Sequence, residues 1–288
     1  MRLVIVTDLD GTLLDPRSYG FEPASPAIER VKQAGVPLVL CSSKTCAEID
    51  VIRRRIGIGD PFIAENGGCI VAPAGYFARV PAGSDVTEDR ATLALGRPYA
   101  DVVAVLKEVA AAERVTIAGF SDMTVSDVAT DCGLPLLEAQ LAKLRQWDEP
   151  FRLFGADPST RSRFIKALRR RGLKVVSGGR YDHATGDADK GQAVGVLRDL
   201  FNEQNRRVVM IGLGNDLNDM SMLRAVDHAV IVKNDTSDAT ARLARKIPAA
   251  RITSASGPEG WAEAVMALLE TWRGGDTIEP ATSWRRWA

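Results

Sequence analysis

Two aspartates, Asp8 and Asp10, stand two places apart in the run Asp8-Leu9-Asp10-Gly11-Thr12, directly after the apolar stretch Leu3–Val6. On the turn leaving a buried strand, two such carboxylates can project into one small volume. One of them can bind Mg²⁺, a cation that takes hard oxygen ligands, while presenting its other oxygen to phosphorus. The second can protonate a leaving alkoxide and then serve as base for a hydrolytic water. Those two roles need two different pKa values, which surroundings can set apart. Gly11 permits a tight backbone there, and Thr12 is expected to hold Asp10. The competing reading is a polar turn in which an aspartate caps the next segment. Its position straight after Val4-Ile5-Val6 argues for the site instead.

Three more polar groups follow apolar runs or open helices. Ser42-Ser43-Lys44-Thr45 combines hydroxyls and main-chain N–H groups at a helix start, which makes an anion site; Ser43 or Thr45 as a plain helix cap is the alternative. Lys190 opens a helix after Asp187-Ala188-Asp189, where the helix dipole does not favour a cation. It is therefore either a solvated surface residue or a charge aimed at phosphate. Asn215-Asp216-Leu217-Asn218-Asp219 follows Arg207–Gly214 and suits metal ligation, with helix capping by Asn218 or Asp219 as the bland alternative.

The elements that must position these groups read as an α/β fold. Leu3–Val6, Val36–Leu40, Arg207–Gly212 and Ala229–Val232 are short apolar runs suited to strands buried on both faces. Between them lie helix-like stretches at Pro26–Ala34, Thr45–Ile56, Lys190–Gln204, Met220–Ala225, Ser237–Lys246 and Gly260–Trp272. The alternation predicts a doubly wound, Rossmann-like parallel sheet with its ligand site at the carboxyl ends of the strands. The middle of the chain has mixed periodicity and reads as a separate α+β unit. The expected division is a core of residues 1–83 and 187–288 with an inserted cap of 84–186. The stretch Gly274–Ala288, with two tryptophans, reads as a loosely ordered tail.

At 288 residues, 45% hydrophobic and 26% charged, the chain suits a globular protein of one or two domains. Lys plus Arg and Asp plus Glu number 37 each, so net charge gives no support for nucleic-acid or anionic-membrane binding. Cys41, Cys46, Cys69 and Cys132 form no CxxC pair and no zinc-like spacing with the histidines. The uncharged run Leu3–Thr7 is too short for a signal-peptide core or a membrane span. A cytoplasmic protein with reduced thiols is expected.

In this order, DLDGT, a strand-end serine, a helix-start lysine and GLGNDLND resemble the haloacid dehalogenase superfamily of phosphatases, with an α/β cap inserted. More narrowly, the chain is similar to the mannosyl-3-phosphoglycerate phosphatases. The strings that carry this are SSKTCAEI, IAENGG, EPF, SGGRYDHATG and DADKGQAV. The resemblance implies Asp8 as nucleophile and metal ligand. It implies Asp10 as general acid and base, with its main-chain carbonyl on Mg²⁺. Ser42 and Lys190 would hold the transferring phosphoryl oxygens, with Thr12, Ser43, Lys44 and Asn218 beside them, and Asn215 and Asp219 would complete the metal site. Phosphoryl transfer needs mainly positioning and charge neutralisation, which such residues supply.

One departure is specific. The family's acidic loop reads G-D-x-x-N-D, and Asn215 stands in place of its first acid, with Asp216 one position later. Asn215 can ligate through its amide oxygen, Asp216 can swing in, or a water can bridge to Asp219. Substrate choice belongs to the cap and not to the fold. A phosphorylated glycoside of glycerate offers a carboxylate, for which Arg180 after Gly178-Gly179 is the candidate, and hydroxyls, for which His183, Tyr181 and Glu65 are candidates. The resemblance thus implies release of phosphate from mannosyl-3-phosphoglycerate to give mannosylglycerate, a compatible solute. The rivals are glucosyl-3-phosphoglycerate, another sugar phosphate such as sucrose phosphate, or a silent phosphate-ester binder for which Asn215 is the one support.

Overall fold

The computed structural model describes residues 2–204 and 207–272. Strands β1 (Arg2–Thr7), β2 (Leu38–Cys41), β3 (Phe62–Ala64), β4 (Cys69–Pro73), β5 (Asp85–Val86) and β6 (Arg90–Ala94) come first along the chain. They are followed by β7 (Thr116–Gly119), β8 (Asp148–Phe154), β9 (Lys174–Gly178) and β10 (Tyr181–Thr185). Then come β11 (Val208–Gly214), β12 (His228–Lys233) and β13 (Arg251–Ser256). A nine-stranded sheet runs in the order β13-β12-β11-β1-β2-β3-β4-β6-β5, and a four-stranded sheet in the order β7-β8-β10-β9.

In the larger sheet the neighbours from β13 to β3 are parallel. The pairs β3–β4, β4–β6 and β5–β6 are antiparallel. The apolar run of β1 explains its central place. Leu3 and Ile5 pack on one face with residues of the helices Ser25–Gln33 and Gly257–Thr271. Val4 and Val6 pack on the other face with the helix Lys190–Gln204. Period-two alternation with both faces apolar is what a strand covered by helices on two sides requires. From β1 the chain moves outward through β2 and β3, and later returns to lay β11 on the opposite flank of β1. The direction of winding therefore changes beside β1, which is where open α/β sheets place their ligands.

The smaller sheet is antiparallel throughout. One face packs Phe151 and Ala184 against Val102, Leu106, Phe164 and Leu168 of the helices Tyr99–Glu113 and Pro158–Arg170. Phe120, Tyr181, Val128, Ala139 and Ala142 form a second small cluster. The α/β core and separate α+β cap thus match the expected fold class, with two corrections. The core sheet is mixed, because β4, β5 and β6 add antiparallel strands to its edge. The insertion also does not leave the core at residue 84, since Arg90–Ala94 pairs with Cys69–Pro73 inside the larger sheet. These edge strands are only partly buried and carry no long apolar run, which hides them from a periodicity reading. β3, β4, β10, β13 and the helix Val125–Cys132 also went unread. The expected tail, Gly274–Ala288, lies outside the described residues. Among the described residues no helix is long and apolar enough to cross a membrane.

Candidate active site

Three parallel neighbours deliver their next residues to one edge. Thr7 pairs with Leu213 of β11 and with Leu40 of β2, and the chain continues to Asp8, to Asn215 after Gly214, and to Ser42 after Cys41. Asp8 N donates to Leu213 O at 2.9 Å, which fixes the nucleophile candidate against the acidic loop. The turn after Asp8 is tight: Thr12 N and Leu14 N both donate to Leu9 O. Gly11 has φ +74° and lies against the Asn215 side chain, so a Cβ there would meet Asn215 Nδ2.

Lys190 is the centre of the charge arrangement. Its Nζ lies 2.7 Å from Asp8 Oδ1 and 2.7 Å from Asp219 Oδ1, and the residue is 1% exposed. The surface alternative for this lysine is therefore excluded. Burial pulls its ammonium pKa down, but Asp219 and Asp8 more than offset this and hold it above the usual lysine range. The Asp8 carboxyl is pushed up to about 7, first by burial and then by the charge of Asp219, with Lys190 acting against both. Two buried carboxyl groups, those of Asp8 and Asp219, thus share one lysine.

Asp219, expected as a metal ligand, is fully buried off the cavity wall and instead holds the loop as well as the lysine. Its Oδ2 accepts from Asn215 N at 2.9 Å and Asp216 N at 3.1 Å. Thr12 departs from expectation: its hydroxyl donates to Asn215 Oδ1 at 3.1 Å and so orients that amide, not Asp10. Asp216 Oδ1 accepts from Leu217 N at 2.6 Å, and its Oδ2 from Gly179 N at 3.3 Å. Both oxygens are engaged, one of them with the cap.

On the other flank, Thr45 caps the helix Cys46–Ile56 in a reciprocal pair with Glu48. This leaves Ser43 to line the cavity. Ser42 is fully buried beside it and accepts from Lys44 N at 3.2 Å. Lys44 Nζ lies 3.1 Å from Asp10 Oδ1, 3.9 Å from Glu48 Oε1 and 4.9 Å from the centre of the Tyr19 ring. Burial alone would lower its pKa; Asp10 and Glu48 raise it.

A cavity of about 450 Å³ lies between core and cap. Asp8, Asp10, Lys44, Asn215 and Asn218 line it from the core, and Arg145, Arg180, Tyr181 and His183 from the cap. Asn218 packs close to Gly178, joining the acidic loop to the β9–β10 hairpin. Arg180 is exposed and its Nη1 donates to Asp131 O at 3.1 Å. His183 Nδ1 is 2.9 Å from Asp148 Oδ2. Tyr181 instead donates its hydroxyl to Asp131 Oδ2.

Glu65 is the clear correction among the site residues. It is 1% exposed and absent from the cavity wall. Its carboxylate accepts main-chain N–H bonds from Gln146, Trp147 and Asp148. It therefore anchors the cap and does not serve sugar hydroxyls. Gly67, at φ +96°, presses on the main chain of Asp189, so the same turn also touches the return connection from the cap. Arg145 and Tyr19 were missed by sequence reading. An arginine near the end of a charged helical stretch reads as solvated, and nothing local in the sequence marks its burial.

The fit to Mg²⁺ follows from the donor chemistry. Asp8, Asp10 and Asn215, residues with hard oxygen donors, line one cavity, where Asp8 shares Lys190 with Asp219. Among the described residues no three His, Cys, Asp or Glu side chains are gathered into a preformed cluster. The oxygen groups on the cavity wall include the amide of Asn215 and, beside it, the carboxylate of Asp216.

The profile of the haloacid dehalogenase-like hydrolases matches residues 5–78. A Methanococcoides burtonii protein named glucosyl-3-phosphoglycerate/mannosyl-3-phosphoglycerate phosphatase is 37% identical over 93% of this chain and 98% of its own. A Persephonella marina protein of the same name is 34% identical over 93% of this chain and 97% of its own. The crystal structure of a haloacid dehalogenase-like hydrolase from Bacteroides thetaiotaomicron shares the fold, with a TM-score of 0.62 at 18% identity, covering 93% of this chain and 100% of that one. Chain-length likeness to the named relatives joins the strand-end aspartates and the buried lysine in one conclusion: this chain belongs to the haloacid dehalogenase-like hydrolases and is a phosphoric monoester hydrolase.

Proposed function

We propose that the protein releases phosphate from mannosyl-3-phosphoglycerate, with glucosyl-3-phosphoglycerate as a second substrate, through a phosphorylated Asp8. The observation that carries the reading is Asp8 on the wall of a cavity whose cap side is polar, backed from within the core by Lys190 and Asp219. The names of the relatives support the substrate class.

Asp8 attacks phosphorus while the ester oxygen leaves. Asp10, on the same turn and lining the same cavity, gives its proton to that oxygen. A water then attacks the phosphorus of the acyl phosphate as Asp10 takes back a proton, releasing inorganic phosphate and restoring the Asp8 carboxylate. Lys190 holds the charge of the phosphoryl oxygens, and Asp219 fixes Lys190. Lys44 steadies Asp10 from the side. Mg²⁺ would be held by Asp8, the Asp10 carbonyl and Asn215, and supplies charge that offsets phosphate and carboxylate repulsion.

A phosphate-release panel compared by kcat/KM tests this. Mannosyl- and glucosyl-3-phosphoglycerate should exceed hexose phosphates and sucrose phosphate by at least ~10²-fold, the scale set by unpaired polar groups in a mismatched site. Chelation should abolish turnover and added Mg²⁺ restore it. Preference for a hexose phosphate would overturn the substrate reading.

A further inference from the structure

A second arginine of the cap faces the cavity, and it is more deeply buried and more fully hydrogen-bonded than Arg180. Arg145 Nε donates to Ala142 O at 3.2 Å, and Nη1 donates to Ser43 O at 2.9 Å and to Asp148 Oδ1. Its side chain is 5% exposed, and its guanidinium carbon lies 5.9 Å from the centre of the Phe120 ring. No hydrogen bond joins its Nη2 to a described residue, although Arg145 lines the cavity. Its Nη2 donors are therefore free to meet an acceptor group of a ligand held in the cavity.

Asp148 orients two cavity residues together. Oδ1 accepts from Arg145, while Oδ2 accepts from Asn66 Nδ2 at 2.9 Å and meets His183 Nδ1 at 2.9 Å. The Asn66 contact ties this pair to the core. The Ser43 contact sets Arg145 over the strand-end loop that borders the phosphate position. A carboxylate three carbons from a phosphate ester is the ligand group that suits such a neighbour. Arg180, by contrast, is exposed on a hairpin turn and held by one hydrogen bond to Asp131 O, so binding through it must order more of a long side chain. Arg145 is already fixed.

We infer that Arg145, oriented by Asp148, recognises the carboxylate of the leaving group, which restricts the substrates to phosphate monoesters of carboxylate-bearing alcohols. The inference deepens the glycosyl-3-phosphoglycerate reading above and rests on it. It reassigns to Arg145 the role for which the sequence offers Arg180.

The test compares kcat/KM on a glycosyl-3-phosphoglycerate with that on its carboxamide, in the wild type, Arg145→Lys, Arg145→Met and Arg180→Met. The wild-type ratio should be at least ~10², the loss expected when a charge-assisted pair is removed. It should fall at least ~10-fold in Arg145→Lys, which keeps the charge but loses the fork, and approach one in Arg145→Met. Arg180→Met should keep the ratio within ~3-fold of wild type, as for a residue outside the carboxylate contact. An undiminished ratio in both Arg145 variants, or a collapse in Arg180→Met, overturns the inference. Should Arg145→Met fail to fold because Asp148 is left unpaired, the lysine variant decides alone. A wild-type ratio near one would instead remove the glycosyl-phosphoglycerate reading itself.

Discussion

Asp8 and Lys190 are 182 residues apart in the chain, and Lys190 Nζ donates to Asp8 Oδ1 across 2.7 Å. The helix that Lys190 opens begins where the chain re-enters the core from the cap, so the return connection itself carries the cation to the nucleophile. Lys190→Met would leave Asp8 and Asp219 facing each other in a buried site without their shared cation. We expect kcat/KM to fall at least ~10²-fold, the scale for loss of one charge-stabilising donor. Inhibition by inorganic phosphate should weaken in parallel. Steady-state kinetics with phosphate inhibition checks both, and an intact phosphate affinity would give Lys190 a structural role only.

Asp10→Asn keeps the shape of the turn but removes the proton donor. Turnover should slow by at least ~10²-fold, the usual scale for general acid–base catalysis. In a single-turnover burst, esters with good leaving groups should lose less than alkyl esters. Equal losses would make Asp10 a structural residue.

The chemistry-bearing turns were legible because their signal is local. DLDGT after an apolar run and NDLND after another each announce a strand end, and the parallel sheet then aligns those ends. Lys190 was legible only through resemblance, since its burial depends on Asp8 and Asp219, far away in sequence. Glu65 misled for the same reason: an acid in IAENGG looks exposed, whereas its partners are main-chain amides of residues 146–148. Arg145 carries no local signal, because a half-charged helical end and a buried guanidinium read alike. The edge strands Asp85–Val86 and Arg90–Ala94 were lost because partial burial leaves too few apolar residues to show a period.

Asn215 and Asp216 separate in the structure as they did not in the sequence. Both residues line the cavity with Asp8, but Asp216 accepts from Leu217 N and, across to the cap, Gly179 N, while Asn215 Oδ1 accepts from Thr12 on the turn that carries Asp8 and Asp10. Asn215→Asp should therefore lower the Mg²⁺ concentration for half-maximal activity by restoring an anionic ligand, more than it changes the saturated rate. Asp216→Asn should shift that midpoint little. Mg²⁺ titration of activity in both variants reads the difference, and the reverse pattern would make Asp216 the ligand.

Burial pushes the Glu65 carboxyl from its usual 4.5 up to about 7, against the opposing pull of Arg145 and the main-chain amides. A carboxyl raised by folding favours the protonated folded state. Its contribution is full below about 4.5 and is lost as pH rises through about 7. Wild-type stability should therefore fall across that window relative to Glu65→Gln, by up to about 3 kcal/mol at about 1.4 kcal/mol per unit of pKa. Denaturant unfolding at several pH values measures the gap between the two proteins. A gap that stays constant with pH would mean Glu65 is ionised throughout.

Covalent phosphorylation of Asp8 is the step on which the mechanism depends, and a rapid-quench experiment with substrate labelled on phosphorus reaches it directly. Acid-quenched wild-type enzyme should carry label in the peptide that contains Asp8, appearing before free phosphate and decaying as turnover ends. Asp8→Asn, correctly folded by circular dichroism, should show neither label nor turnover above background. Protein free of label at every time point, together with substantial turnover in Asp8→Asn, would contradict an aspartyl-phosphate route.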